Sequence, residues 1–291
     1  IFAYAYAYLF VILLGTGATV FYNIISYMLR ALGDSRTPLV FLVLSSLLNI
    51  GLDILFIVPF RRGVAGAAWA TVLAQYASAI GILVYVLAKC KRLLPKRADL
   101  RYHPRILREI FNLSSLTCLQ QSVMNFGILM VQGLVNSFGT VVMASFAAAV
   151  KIDTFAYLPV QDFGNAYSTF VAQNFGAGEQ ERIRRGTKTA FVMSGIFSLI
   201  ISAAVFIFAA PLMRIFIAAS ETQVIAAGVH YLRIEGAFYI GIGFLFLLYG
   251  YYRAIKRAGM SVVLTVISLG VRVLLAYALS SIISIGVTGI W

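Results

Sequence analysis

Hydrophobic residues along this chain come in long runs rather than short periodic patches. Eight stretches are almost continuously apolar: about 1–28, 38–60, 64–88, 110–136, 141–172, 187–213, 223–252 and 259–283. They lack the ten-residue alternating segments of a transmembrane β-barrel. An α-helix rises about 1.5 Å per residue, so about 20 apolar residues cross the roughly 30 Å hydrocarbon layer. The pattern predicts an all-α, polytopic membrane protein with eight transmembrane helices. Composition agrees. Of 291 residues 61% are hydrophobic and 11% charged, with a mean hydropathy of +0.93, whereas soluble domains carry about 25% charged residues.

The net charge of +13 raises nucleic acid as a partner, but the distribution of the charge excludes it. Lys and Arg fall on alternate loops. Arg30 and Arg36 follow the first helix. Lys89, Lys91, Arg92, Lys96, Arg97, Arg101, Arg105 and Arg108 follow the third. Arg182, Arg184, Arg185 and Lys188 follow the fifth, and Arg253, Lys256 and Arg257 the seventh. Together they make 17 of the 23 basic residues, and the opposite loops hold only Arg61, Arg62 and Arg214. This is the positive-inside asymmetry of an inner (plasma) membrane protein with its basic loops in the cytoplasm, where they also meet anionic lipid. Cys90 and Cys118 are too few for a disulfide framework or a zinc site.

The first 68 residues lie on the last 68 at a constant offset of 223 without a gap. Tyr8-Leu9 meets Tyr231-Leu232, Arg30-Ala31 meets Arg253-Ala254, and Gly63-Val64-x-Gly66 meets Gly286-Val287-x-Gly289. Both copies have the same orientation, as in parallel-repeat transporters. The register implies three helices before residue 1 and one after residue 291, for twelve in two lobes. Residues 1–95 are then the remainder of an N-terminal lobe, 96–109 a linker with Pro104, and 110–291 a truncated C-terminal lobe.

Ionisable groups in membrane helices are costly and mark function by default. Asn49 and Asp53 sit four apart in SSLLNIGLDILFIV and share a helix face. Asp53 lies roughly 20 Å from the start of its helix. Thr71, one turn into the next helix, offers a third oxygen. Carboxylate, amide and hydroxyl oxygens suit a proton or a hard cation such as Na⁺. The alternative is a structural helix–helix hydrogen bond. Lys151, Asp153, Tyr157, Gln161 and Asp162 are candidate cavity-lining residues on the fifth helix, which Pro159 and Gly164 are expected to bend. Glu235 and Arg272 are a candidate cross-helix pair. Arg272 holds the repeat position of Asn49 and Ala276 that of Asp53, so the two lobes differ chemically. Gly176-Ala177-Gly178 reads as a helix stop.

The chain resembles the multidrug and toxic compound extrusion (MATE) transporters, DinF-like branch, over essentially its whole length. YMLRALGDSRTP resembles the family's Arg-x-x-Gly-Asp-(Ser/Thr)-(Arg/Lys)-x-Pro loop. PVQDFGNAYSTFVAQNFGAG resembles its Pro-containing helix closing in Gln-Asn-x-Gly-Ala-Gly. Asn49-x-x-x-Asp53 with Thr71 is similar to the cation site of the DinF-like and archaeal members. The resemblance implies export of small organic, cationic amphiphiles by a monomer, against Na⁺ or H⁺, by alternating access. No other cofactor is implied, nor is a nucleic-acid partner. In the family an Asp on the first helix completes the cation site. Some relatives carry a carboxylate on the helix corresponding to 110–136, where this chain has Gln120 and Gln121. The rival within the same superfamily is a lipid-linked precursor flippase, favoured by a cationic cavity. An intramembrane enzyme would need clustered His or acidic motifs, and His103 and His230 are isolated.

Overall fold

The computed structural model describes residues 2–90, 102–282 and 286–291. The basic residues Lys91, Arg92, Lys96, Arg97 and Arg101, and much of the expected 96–109 linker, lie outside the described residues. Among these residues the secondary structure is helical, with no strand. The helices are α1 (Phe2–Ala31), α2 (Arg36–Ile57), α3 (Gly63–Lys89), α4 (Pro104–Asn136), α5 (Thr140–Gly176), α6 (Gln180–Phe216), α7 (Thr222–Ala237), α8 (Tyr239–Ala254) and α9 (Ala258–Ser280), followed by a 3-10 turn (Gly286–Gly289). Seven are each long and apolar enough to cross a membrane, and α7 with α8 reach that length and apolarity only taken together, as a bent pair. That bent pair corrects the sequence expectation of one continuous helix over 223–252. It is bent by 50° at Phe238, whose N–H turns back to Glu235 O. The carbonyl of Gly236 leaves the helical ladder and accepts from Ser202 Oγ of α6 at 2.6 Å. A hydroxyl that satisfies a carbonyl from outside makes such a break cheap in an apolar setting.

The chain divides into two compact units, Ile1–Tyr102 and His103–Trp291. In the first, α3 packs against both α1 and α2. Small residues on α3 (Ala68, Ala70, Ala74 and Ala79, all buried) permit the close approach usual between membrane helices. Ties run between helices: Tyr22 to Pro38 O at 2.7 Å, Ser45 to Ala74 O at 2.9 Å, and Tyr76 to Leu14 O at 3.2 Å. In the second unit α5 packs on α6, α7 and α8, and α4 on α9. One end of its core is an aromatic cluster in which Phe146 and Tyr231 both pack on Trp291. Much of the apolar surface faces outward: Leu13, Leu47, Ile207 and Leu274 are all exposed, as lipid-facing residues are.

The repeat is reproduced bond by bond. At the end of α1, Leu32 N–H bonds Met28 O, Gly33 N–H bonds Arg30 O and Asp34 N–H bonds Leu29 O. At the end of α8, 223 residues later, Ile255, Lys256 and Arg257 bond Tyr251 O, Arg253 O and Tyr252 O. Gly33 (φ 92°) and Lys256 (φ 62°) share the left-handed turn, as do Gly63 (φ 55°) and Gly286 (φ 51°). Both closing turns follow the left-handed pattern that ends many helices.

Asp34 starts α2. Its Oδ1 accepts from the N–H of Thr37 at 3.0 Å and of Arg36 at 3.1 Å, satisfying two of the helix's first free donors. Bonds from the Thr37 side chain and backbone, then from the Arg36 amide, with the Arg36 charge adding, hold the Asp34 carboxyl below its ordinary 3.8. A depressed folded value means this stabilisation is present above pH 3.8 and is lost as pH falls through the lowered value. Asp34→Ala is expected to cost about 0.5 kcal/mol, the low end for a cap because the site is exposed. Thermal unfolding in detergent checks it: the deficit should be clear near neutrality and vanish in strong acid.

Candidate functional site

In the first unit, α2 and α3 bring two of the three predicted residues, Asn49 and Thr71, into contact. Asn49 Nδ2 lies 3.5 Å from Thr71 Oγ1. The Thr71 hydroxyl donates to Ala67 O at 3.1 Å, which leaves its lone pairs for a partner on the Asn49 side. One turn along α2, Asp53 is half-buried. Its Oδ1 is shut off from solvent and has no hydrogen-bond partner among the described residues. A buried, unpartnered carboxylate oxygen is unfavourable unless something binds it. Asp53 therefore offers a hard oxygen with its valence unmet, one turn from Asn49 on the same helix, the chemistry that takes a proton or a small alkali cation.

The second unit holds a different polar cluster. Asp153 on α5 is 7% exposed. It accepts a short hydrogen bond from Tyr239 Oη, the first residue of α8, and the Tyr231 hydroxyl of α7 also faces it. Glu235, one turn from Tyr231, meets Arg272 of α9 at 3.5 Å, so the predicted cross-helix pair forms. Arg272 stands in the register of Asn49 and Ala276, 2% exposed, in that of Asp53. Where the first unit offers unfilled oxygens, the second carries its own guanidinium.

The remaining candidates are placed apart from that cluster. Lys151 is exposed, and its ammonium lies 5.7 Å from the Phe216 ring centroid, so it makes no pair with Asp153. Asp162 is exposed, and Gln161 and Tyr157 are half-buried, with Tyr157 stacked on Phe246 at 6.5 Å. α5 runs through Pro159 as one helix and ends at Gly176, where Gly178 takes φ 79° and Glu179 N–H closes on Asn174 O at 2.9 Å. Tyr239 and Ser202 were not singled out by sequence reasoning. Tyr231 and Glu235, four apart on one face, were the available signal for the cluster. Among the described residues no group of three or more His, Cys, Asp or Glu is placed to hold a metal ion.

Apolar helices long enough to cross a membrane define a polytopic integral membrane protein. The MatE family model matches residues 116–278. The probable multidrug resistance protein YpnP of Bacillus subtilis is 34% identical over 247 residues, covering 85% of this chain and 55% of that protein. The probable multidrug resistance protein NorM of Thermotoga maritima is 27% identical over 289 residues, covering 98% of this chain and 62% of that protein. A solved MOP superfamily transporter from Pyrococcus furiosus superposes with a TM-score of 0.91 at 25% identity, over 98% of this chain and 64% of that one. A MATE crystal structure in complex with MaL6 shares the fold at TM-score 0.90 and 24% identity, over 98% of this chain and 64% of that one. The chain belongs to the MatE family, a family of transporters rather than enzymes. It spans a little over half the length of these two relatives.

Proposed function

We propose that this chain forms the larger part of a cation-coupled exporter of small organic, mainly cationic amphiphiles. The two units are the partial lobes of a twelve-helix transporter that works as a monomer in the plasma membrane, with the basic loops in the cytoplasm. The observation that carries the coupling role is the solvent-excluded, unpartnered Oδ1 of Asp53, one turn from the Asn49–Thr71 contact. The relatives named as multidrug resistance proteins support the substrate class. Na⁺ or H⁺ binding at Asp53, Asn49 and Thr71 neutralises the carboxylate and shifts the first unit between two packings. The membrane potential adds about 2.3 kcal/mol per charge per 100 mV to an ion entering the cell.

Inverted membrane vesicles from cells producing the protein provide the test. With an acidic or Na⁺-rich lumen they should accumulate a fluorescent organic cation, and collapsing that gradient should release it. Accumulation that ignores both gradients and follows added ATP instead would reject ion coupling.

A further inference from the structure

One helix of the second unit carries an open face whose chemistry changes part-way along. On its packed side α5 buries Val160, Gly164, Tyr167 and Val171. Gly164 lies against Phe246 O of α8, and the Tyr167 hydroxyl meets Thr187 Oγ1 of α6 at 2.6 Å. On the opposite side, at spacings of three or four that share a face, lie Phe155, Leu158, Asp162, Asn165, Thr169 and Gln173. Phe155 is 78% exposed and Leu158 41%. Asp162, Asn165 and Gln173 are exposed as well. The face is apolar as far as Leu158 and polar from Asp162 onward.

The depth of Asp162 gives this pattern its meaning. It falls about ten residues before the end of the apolar run 141–172. That is about 15 Å along a helix, half of the roughly 30 Å hydrocarbon layer. A carboxylate at such a depth is too costly to leave against lipid, and it faces a partner or a water-filled space. The ion pairs of the described residues leave Asp162 out. The guanidinium that reaches this face, from Arg253 of α8, bonds Asn165 Oδ1 at 2.9 Å. Lys151, the one cation of α5, sits against the Phe216 ring. α4 of the same unit has an open polar face of its own, with Cys118, Gln121 and Asn125 exposed. Such faces line water rather than lipid.

We propose that the open face of α5 binds substrate, the Asp162 carboxylate taking the cationic group and Phe155 and Leu158 the apolar body of an amphiphilic cation. Phe155 precedes Asp162 by two helical turns, so ring and carboxylate stand about 10 Å apart along the axis. A drug-sized amphiphile with an aromatic body and a charged nitrogen spans that separation. An unpaired negative charge within a low-dielectric span attracts a cation and rejects an anion. The exposed ring adds apolar contact and a face for aromatic stacking. The polar residues beyond Asp162 keep that part of the face wet, so a charged ligand reaches the carboxylate without crossing lipid. This assignment rests on the substrate class proposed above and adds the residue that recognises the charge. It does not depend on the Asp53 site.

Equilibrium binding to the intact protein purified in detergent tests it, with radiolabelled tetraphenylphosphonium and tetrabutylammonium as probes. Asp162→Asn should weaken both about tenfold, the scale of losing one charge of a partly desolvated pair. Asp162→Glu should recover most of that loss. Phe155→Ala should weaken the aromatic cation more than the aliphatic one. Glu181→Gln removes a surface carboxylate paired with Arg185 and controls for overall negative charge, so it should bind both probes as the parent does. Parent-like affinity in Asp162→Asn would mean that protein rather than substrate covers this face, and it overturns the site while leaving the substrate class standing. An equal loss in Glu181→Gln overturns the site too. Equal losses of the two probes in Phe155→Ala overturn the aromatic contact. A parent that binds neither cation overturns the substrate class and the site together.

Discussion

Asp53→Asn is expected to reduce gradient-driven export by about tenfold or more, the scale on which losses around an ion site act. The carboxylate is the only formal charge in the Asn49–Asp53–Thr71 group, so its removal takes away both the proton acceptor and the anionic ligand of a cation. Stability should hold or improve, because Asp53 Oδ1 has no hydrogen-bond partner among the described residues and an amide is cheaper to bury than an unpaired charge. Transport in inverted vesicles and thermal unfolding in detergent are the paired measurements. Asn49→Ala should fall between the parent and Asp53→Asn, since it removes a neutral ligand and the Thr71 contact. Undiminished, gradient-dependent export by Asp53→Asn would sink the coupling assignment. Equal loss of export and of folded protein would mark the carboxylate as structural.

The second large effect is on folding. A Cβ on Gly250 would stand 2.5 Å from the carbonyl oxygen of Gly164, and one on Gly164 would stand 2.9 Å from Phe246 O. Both obstacles are main-chain atoms that cannot rotate aside, so α5 and α8 would have to move apart. Gly250→Ala is expected to cost about 1–3 kcal/mol and Gly250→Val more, as overpacking does. At about 2–4 °C per kcal/mol for a unit of this size, the unfolding midpoint in detergent should drop visibly. Gly241, also in α8, has nothing within 4 Å of its Cβ position. Gly241→Ala should leave the midpoint unchanged or raise it, because Ala is the better helix former. Equal midpoints for Gly250→Ala and Gly241→Ala would show that the α5–α8 contact is not close-packed in the protein.

The proposed cation site could be read from the sequence because its candidate residues are close in sequence. Asn49 and Asp53 are one turn apart, and Thr71 opens the helix that packs directly on theirs. Helical periodicity puts Asn49 and Asp53 on one face, and a short connection brings the Thr71 helix beside theirs, where Asn49 meets Thr71. The second-unit cluster was legible only in pieces. Asp153 and Tyr239 are separated by 86 positions, and no local pattern says which helix faces which. Lys151 and Asp153 were both candidates to line a cavity, but residues two apart on a helix do not share a face. One is exposed against Phe216 and the other is buried against Tyr239.

By itself the sequence determined the class, the spans and the repeat. Burying a backbone in lipid demands long apolar helices, and a duplicated turn chemistry keeps its glycines in register. Gly63 and Gly286 take nearly the same left-handed angle. Only the tertiary structure decided where the eighth span breaks. The half before Phe238 is the more polar, with His230, Arg233 and Glu235, but neither proline nor any turn sequence marks the break. What permits the break is Ser202, a hydroxyl from another helix that reaches Gly236 O. Whether a polar group in a membrane helix is satisfied, paired or left open depends on which neighbour arrives opposite it, and that is settled by packing. So Asp153 met a tyrosine, Arg272 met a glutamate, and Asp53 was left with an unfilled oxygen.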